Sequence, residues 1–207
     1  MMLIKPAIKL FVLLFLALHM AACVPIQPKP NANSVMPFDP RMHLAGISAI
    51  KDFNIQGRLG VQHNQKGLSG SVHWHHLKKT DQLTFISPLG NKIAQISNGI
   101  QGATLITNEN KVFNAPDPES LTEKILGWKF PINKLSDWII GRPSNGAITE
   151  MGWDELGRLT KFKQDGWQVN YLSYQSVDQW SLPAKMSIHK DQLNLKLLID
   201  QWQLPTY

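Results

Sequence analysis

His73, His75 and His76 form the sequence's one dense group of side chains able to bind a metal or carry a proton. Successive side chains of a strand point to opposite faces, so His73 and His75 would share a face and Trp74 would take the other. Two imidazoles make half of a closed zinc site. Segment 66–80 contains no Asp or Glu to complete it, so an exposed strand face is expected there rather than a metal centre. Asp154 and Glu155 could act as general acid and base, but with Gly157 behind them they read as a solvated turn. No Gly-x-Ser-x-Gly elbow, Walker loop, dinucleotide fingerprint or His-Glu-x-x-His helix occurs, and acyl transfer, phosphate binding and zinc hydrolysis are built on those spacings. Cys23 is the only cysteine, which excludes an internal disulfide and a thiolate zinc site. Neither an enzyme nor a cofactor is expected.

Trp74, Trp138 and Trp167 fall on apolar positions of two candidate strands and a candidate helix. As core residues each would cost ~3–5 kcal/mol on truncation. They could instead line an apolar cavity, but composition alone favours the core. The chain has material for a core: 43% of its 207 residues are hydrophobic and seven are Trp, which argues against disorder. One long apolar run occurs, so a polytopic membrane protein is excluded.

That run belongs to a leader. Lys5 and Lys9 precede an apolar stretch, 10–18, too short for the ~20 residues of a membrane span. Met20-Ala21-Ala22 then supplies small residues ahead of Cys23. The arrangement resembles the bacterial lipoprotein signal, in which cleavage leaves Cys as the first residue to receive an S-diacylglycerol and an N-acyl group. Residues 1–22 are therefore expected to be a signal peptide and Cys23 a lipid anchor. Val24 follows where enterobacterial lipoproteins retained in the inner membrane usually carry Asp, so the outer membrane, facing the periplasm, is the expected address. Losing Lys5 and Lys9 lowers the formal charge from +6 to +4. An exported protein of that charge has no nucleic acid to meet, but it suits an acidic protein partner. Five prolines between Val24 and Pro40 favour an extended spacer, so residues 23–43 are expected to be a tether and 44–207 the folded domain.

From Phe53 the pattern has period two. Phe53, Ile55, Leu59 and Val61 alternate with polar residues, as do Leu68, Gly70, Val72 and Trp74. Further short strands are predicted at 83–87, 92–97, 103–107 and 111–115, with turns at Asn98-Gly99 and Glu109-Asn110. Ser120-Leu121-Thr122-Glu123 has the form of a capping box, opening a helix that Gly127 would stop. A second helix is predicted over 132–140, burying Leu135, Trp138 and Ile139. Strands then resume at 147–153, 159–163, 167–174, 184–190 and 193–201, with turns at Gly157 and Asp165-Gly166. Helices this short need an apolar seat. A curved antiparallel sheet of roughly ten to twelve strands, with the helices against its concave face, satisfies the pattern. A sandwich would leave them without one.

Three segments in this order resemble the LolB family of outer-membrane lipoprotein receptors. They are Ser87-Pro88-Leu89-Gly90; 121–143, with Leu135-Ser136-Asp137-Trp138-Ile139-Ile140-Gly141-Arg142-Pro143; and Trp167-Gln168-Val169-Asn170-Tyr171 followed by Pro183-Ala184-Lys185-Met186. The similarity runs from about residue 44 onward. The resemblance implies an incomplete, half-open antiparallel β-barrel of about eleven strands, with short helices as a lid over a hydrophobic cavity for acyl chains. It implies a LolA-like periplasmic carrier and acylated lipoprotein cargo as partners, and a monomer acting at the inner leaflet of the outer membrane. It assigns Leu89, between Pro88 and Gly90, to delivery into the membrane, and brings Trp74, Trp138 and Trp167 forward as cavity residues. A general lipid-binding lipoprotein and a structural accessory of an outer-membrane machine are the competing readings, with a cell-wall hydrolase disfavoured by the missing catalytic set.

Overall fold

The structure, a computed structural model, describes residues 39–205. Cys23, the leader and most of the proline-rich stretch lie outside the described residues. Pro40, the last proline of that stretch, does not continue an extended spacer. It is the first residue of helix α1 (Pro40–Ile47), where the Asp39 carboxylate accepts from the Arg41 amide as a cap. An Asp-Pro pair is a sound helix start, so this helix was legible and the expected tether ends inside it.

Eleven strands follow, as the alternation predicts: β1 (Asp52–His63), β2 (Lys66–Leu77), β3 (Thr80–Ile86), β4 (Lys92–Gly99), β5 (Gly102–Thr107), β6 (Val112–Ala115), β7 (Ile148–Trp153), β8 (Leu159–Gln164), β9 (Trp167–Val177), β10 (Trp180–Lys190) and β11 (Leu193–Gln203). Helices α2 (Pro118–Leu126) and α3 (Ile132–Trp138) lie between β6 and β7. The strands make one antiparallel sheet in the order β6-β5-β4-β3-β2-β1-β11-β10-β9-β8-β7. β6 and β7 are free edges, so the barrel is not closed. The first and last long strands pair at the centre, Leu59 opposite Leu197 and Val61 opposite Leu195. A bulge after Gln56 bends that seam. Gly57 occupies it because a β-carbon there would collide with the Leu198 carbonyl.

One hydrophobic core joins inward-facing residues of the sheet to Ile47 of α1, Leu121 of α2, and Leu135 and Trp138 of α3. The hairpin connections fall on two rims. One rim carries residues 64–65, 87–91, 108–111, 165–166 and 191–192. The other carries 78–79, 100–101, 154–158 and 178–179.

Two local expectations are corrected. The β4–β5 turn is Ile100-Gln101, two residues beyond Asn98-Gly99, because Gly99 still pairs with Gly102. Asn98 instead turns its amide to Asp81 and Asn133. Helix α2 is capped by Asp117, which accepts from the Ser120 amide at 2.7 Å and the Ser120 hydroxyl at 2.8 Å. Ser120 therefore sits inside the helix, three residues later than a capping box requires, and Glu123 faces Lys129. Gly127 ends the helix at φ 81°, as expected.

Candidate functional site: a lidded apolar cavity

The half of the sheet nearer β6 is not filled by side chains. A cavity of about 200 Å³ lies between it and the segment that follows α2. Leu59 and Val61 of β1, Ile96 of β4 and Leu105 of β5 form its floor, and Phe85 of β3 one wall. Thr122 and Leu126 of α2, with Trp128 and Phe130 beyond its end, form the cover. Phe130 meets Phe85 with ring centroids 6.4 Å apart and Trp128 at 5.9 Å, both edge-on. An aromatic wall thus runs from the sheet to the cover. Thr122 adds no polarity to it: its hydroxyl donates to the Pro118 carbonyl at 2.9 Å and accepts from the buried Phe130 amide at 2.9 Å. Its lining is almost wholly apolar, and such a cavity can take up apolar chains.

The cavity opens beside the Leu89 loop. Ile86 and Ile93, at the strand ends flanking that loop, belong to the cavity lining. Leu68, Ile93 and Leu126 line it while remaining 53%, 45% and 43% exposed. The loop is held tightly: the Ser87 amide donates to Asn91 O at 2.8 Å, Gly90 N to Ser87 O at 2.9 Å and Asn91 N to the Ser87 hydroxyl at 3.1 Å. Gly90 turns the chain at φ 85°. Leu89 is left 88% exposed at its tip, with Pro88 beside it.

Trp74, Trp138 and Trp167 are not among the residues lining this cavity. Trp74 is buried against Phe53 at 5.4 Å and donates from Nε1 to Asp81 at 2.8 Å. Trp138 donates from Nε1 to Gln164 at 2.9 Å and touches Phe162 and Trp167 beneath α3. Trp167 lines a neighbouring groove that shares Trp128 with the cavity, and Lys190 lies over its ring. All three pack the core or its margin, and the cavity tryptophan is Trp128. The signal for it was present: Trp128 and Phe130 alternate through a non-helical stretch after the Gly127 stop, where solvent-facing polar residues are the norm.

The histidines are divided between faces. His73 and His75 are exposed on the outside of the sheet, His75 against Asn54. His76 turns inward, stacks on Phe53 at 4.9 Å and meets Asp81 at 2.6 Å. Among the described residues no group of three His, Cys, Asp or Glu is placed to hold a metal. Asp154 accepts from the amides of Leu156 and Arg158 and from the Arg158 guanidinium, as a turn residue does.

An open half-barrel with a covered, almost wholly apolar cavity defines a carrier-like binding protein for apolar chains. The family described as Outer membrane lipoprotein LolB matches residues 51–202, and this chain belongs to it. A protein named outer-membrane lipoprotein LolB from Nitrosococcus oceani is 29% identical over 95% of this chain and 98% of its own. One from Thiobacillus denitrificans, of the same name, is 31% identical over 94% and 97%. A solved LolA superfamily protein from Nitrosomonas europaea superposes with TM-score 0.46 at 7% identity, over 82% of this chain and 94% of its own.

Proposed function

We infer that this protein is an outer-membrane-anchored receptor that accepts acylated lipoproteins from a periplasmic carrier and releases them into the inner leaflet. Cys23 carries the lipid anchor, and the residues after it serve as the spacer. The observation that supports the reading most is the adjacency of the apolar cavity and the exposed Leu89 loop.

The physical need is large. Burying a methylene is worth ~0.8 kcal/mol, so three acyl chains of about fourteen methylenes each amount to ~30 kcal/mol against passage through water. A cavity that shields the chains lowers that barrier with no bond made or broken. At about 200 Å³ the resting cavity is only modestly larger than the ~150 Å³ that holds one benzene. Loading therefore requires α2 and the Trp128–Phe130 segment to move off the sheet, which exposes Leu59, Val61, Ile96 and Leu105 as a seat. Leu89 gains only ~1.5–3 kcal/mol on entering lipid, far too little for an anchor. It suffices to hold the cavity mouth against the bilayer while chains leave.

Depletion in cells tests this reading. Acylated lipoproteins should accumulate on the periplasmic carrier when this protein is removed. Normal outer-membrane sorting without it would overturn the assignment.

A further inference from the structure

The apolar residues at the cavity mouth do not stand alone. Lys66 lies two positions before Leu68 on β2, which puts both on one face of the strand. Lys92 immediately precedes Ile93 at the start of β4, and Lys129 immediately follows Trp128. All three lysines are exposed. Lys129 makes only a loose 3.5 Å contact with Glu123, both side chains being more than half exposed. Among the described residues Lys66 and Lys92 form no ion pair, whereas Glu109 on the neighbouring turn is already held by Lys111 at 2.6 Å.

We propose that this rim is a docking surface for a bilayer containing anionic phospholipid, with Lys66, Lys92 and Lys129 meeting the headgroup phosphates while Leu89, Leu68 and Ile93 enter the acyl boundary. The proposal rests on the receptor reading above and adds a lipid requirement to it. Lysine stems lie along apolar surface while their ammonium groups stay in the polar layer. Apolar residues interleaved with lysines are the composition of surfaces that rest in a membrane interface. Each lysine near an acidic surface contributes attraction that fades within a Debye length. Together the lysines orient the tethered domain with its mouth down, which one leucine alone cannot do.

The test uses the full acylated chain reconstituted in vesicles through Cys23, with an environment-sensitive dye on an Asn91→Cys variant beside the loop. Vesicles of phosphatidylcholine alone are compared with vesicles containing phosphatidylglycerol. The acidic vesicles should shift the dye to an apolar signal and speed cargo release, and salt should reverse both. Lys66→Ala with Lys92→Ala should weaken docking roughly thirtyfold, or ~2 kcal/mol at ~1 kcal/mol per lysine. Arginine at both positions should restore it. Equal dye shifts in neutral and acidic vesicles would overturn the proposal while leaving the receptor reading intact. So would alanine variants that dock normally but no longer accept cargo from the carrier, since the lysines would then serve the carrier. If the wild-type chain accepts no cargo at all, the receptor reading itself fails.

Discussion

Thr122 on α2 accepts a hydrogen bond from the backbone N–H of Phe130 at 2.9 Å, and this contact ties the cavity's cover helix to the segment bearing Trp128. Replacing it with Val keeps the shape and strands a buried amide, which costs about 1–3 kcal/mol. Thr122→Ser should retain most of the stability and Thr122→Val should lose it, as read by denaturant unfolding. If loading lifts the cover, exchange of the Phe130 amide should also speed up when cargo is bound.

Stability and cargo binding should separate between two tryptophans. Trp128→Ala removes part of the cavity wall and should weaken acyl-chain retention by ~1.5–3 kcal/mol, roughly 10- to 150-fold, with little loss of stability because Trp128 is only half-buried. Trp74→Phe breaks the buried bond to Asp81 and should cost about 1–3 kcal/mol of stability while cargo affinity stays normal. The reverse pattern would return the cavity to the half of the barrel that holds Trp74.

Asp117 caps α2, and the hydrogen bond from the Ser120 amide holds its carboxyl below the usual carboxylate range. A depressed folded-state value means the cap is fully present above the ordinary Asp value, near 3.8, and fades as pH falls through the lowered one. Asp117→Ala should cost about 1 kcal/mol at neutral pH. Its stability gap to the wild type should close on acidification below pH 4.

Glu119 carries the opposite sign. Burial raises its carboxyl above the ordinary value, so the folded state holds the proton longer. Its ionisation subtracts stability as pH rises from that ordinary value through the raised one. Glu119→Gln, which can keep the bond with Asn133, should flatten that part of the stability profile. An unchanged slope just above the ordinary Glu value, near 4.5, would remove Glu119 as its source.

The sheet was legible almost strand by strand because half-buried antiparallel strands alternate, and Phe53, Ile55, Leu59 and Val61 all turned inward as their spacing required. Turns and caps were less so. Asn98-Gly99 has the composition of a turn, yet the ladder continues through Gly99, and the Asn98 amide is needed between Asp81 and Asn133. Ser120 imitates a cap that Asp117-Pro118 supplies three residues earlier. The cavity residues were hardest to see, since a filled core and an empty pocket use the same apolar side chains. Which half of the sheet stays open depends on where α1 and α3 pack, and that is a tertiary fact. Trp74, Trp138 and Trp167 pack the core or its margin, as composition favoured, and the cavity role that the resemblance implied for them falls outside this lining.

Leu89 and Ile100 provide the most direct measurement of the central claim. Both occupy hairpin tips, 88% and 96% exposed, but Leu89 stands on the rim where the cavity opens and Ile100 on the opposite one. Cargo partitioning between receptor and liposomes should be followed for Leu89→Glu and Ile100→Glu. Leu89→Glu should fold and accept cargo normally, yet hold it at least tenfold longer against extraction by liposomes, while Leu89→Ile and Ile100→Glu deliver like the wild type. Normal delivery by Leu89→Glu, or equal impairment by Ile100→Glu, would contradict release through the Leu89 rim.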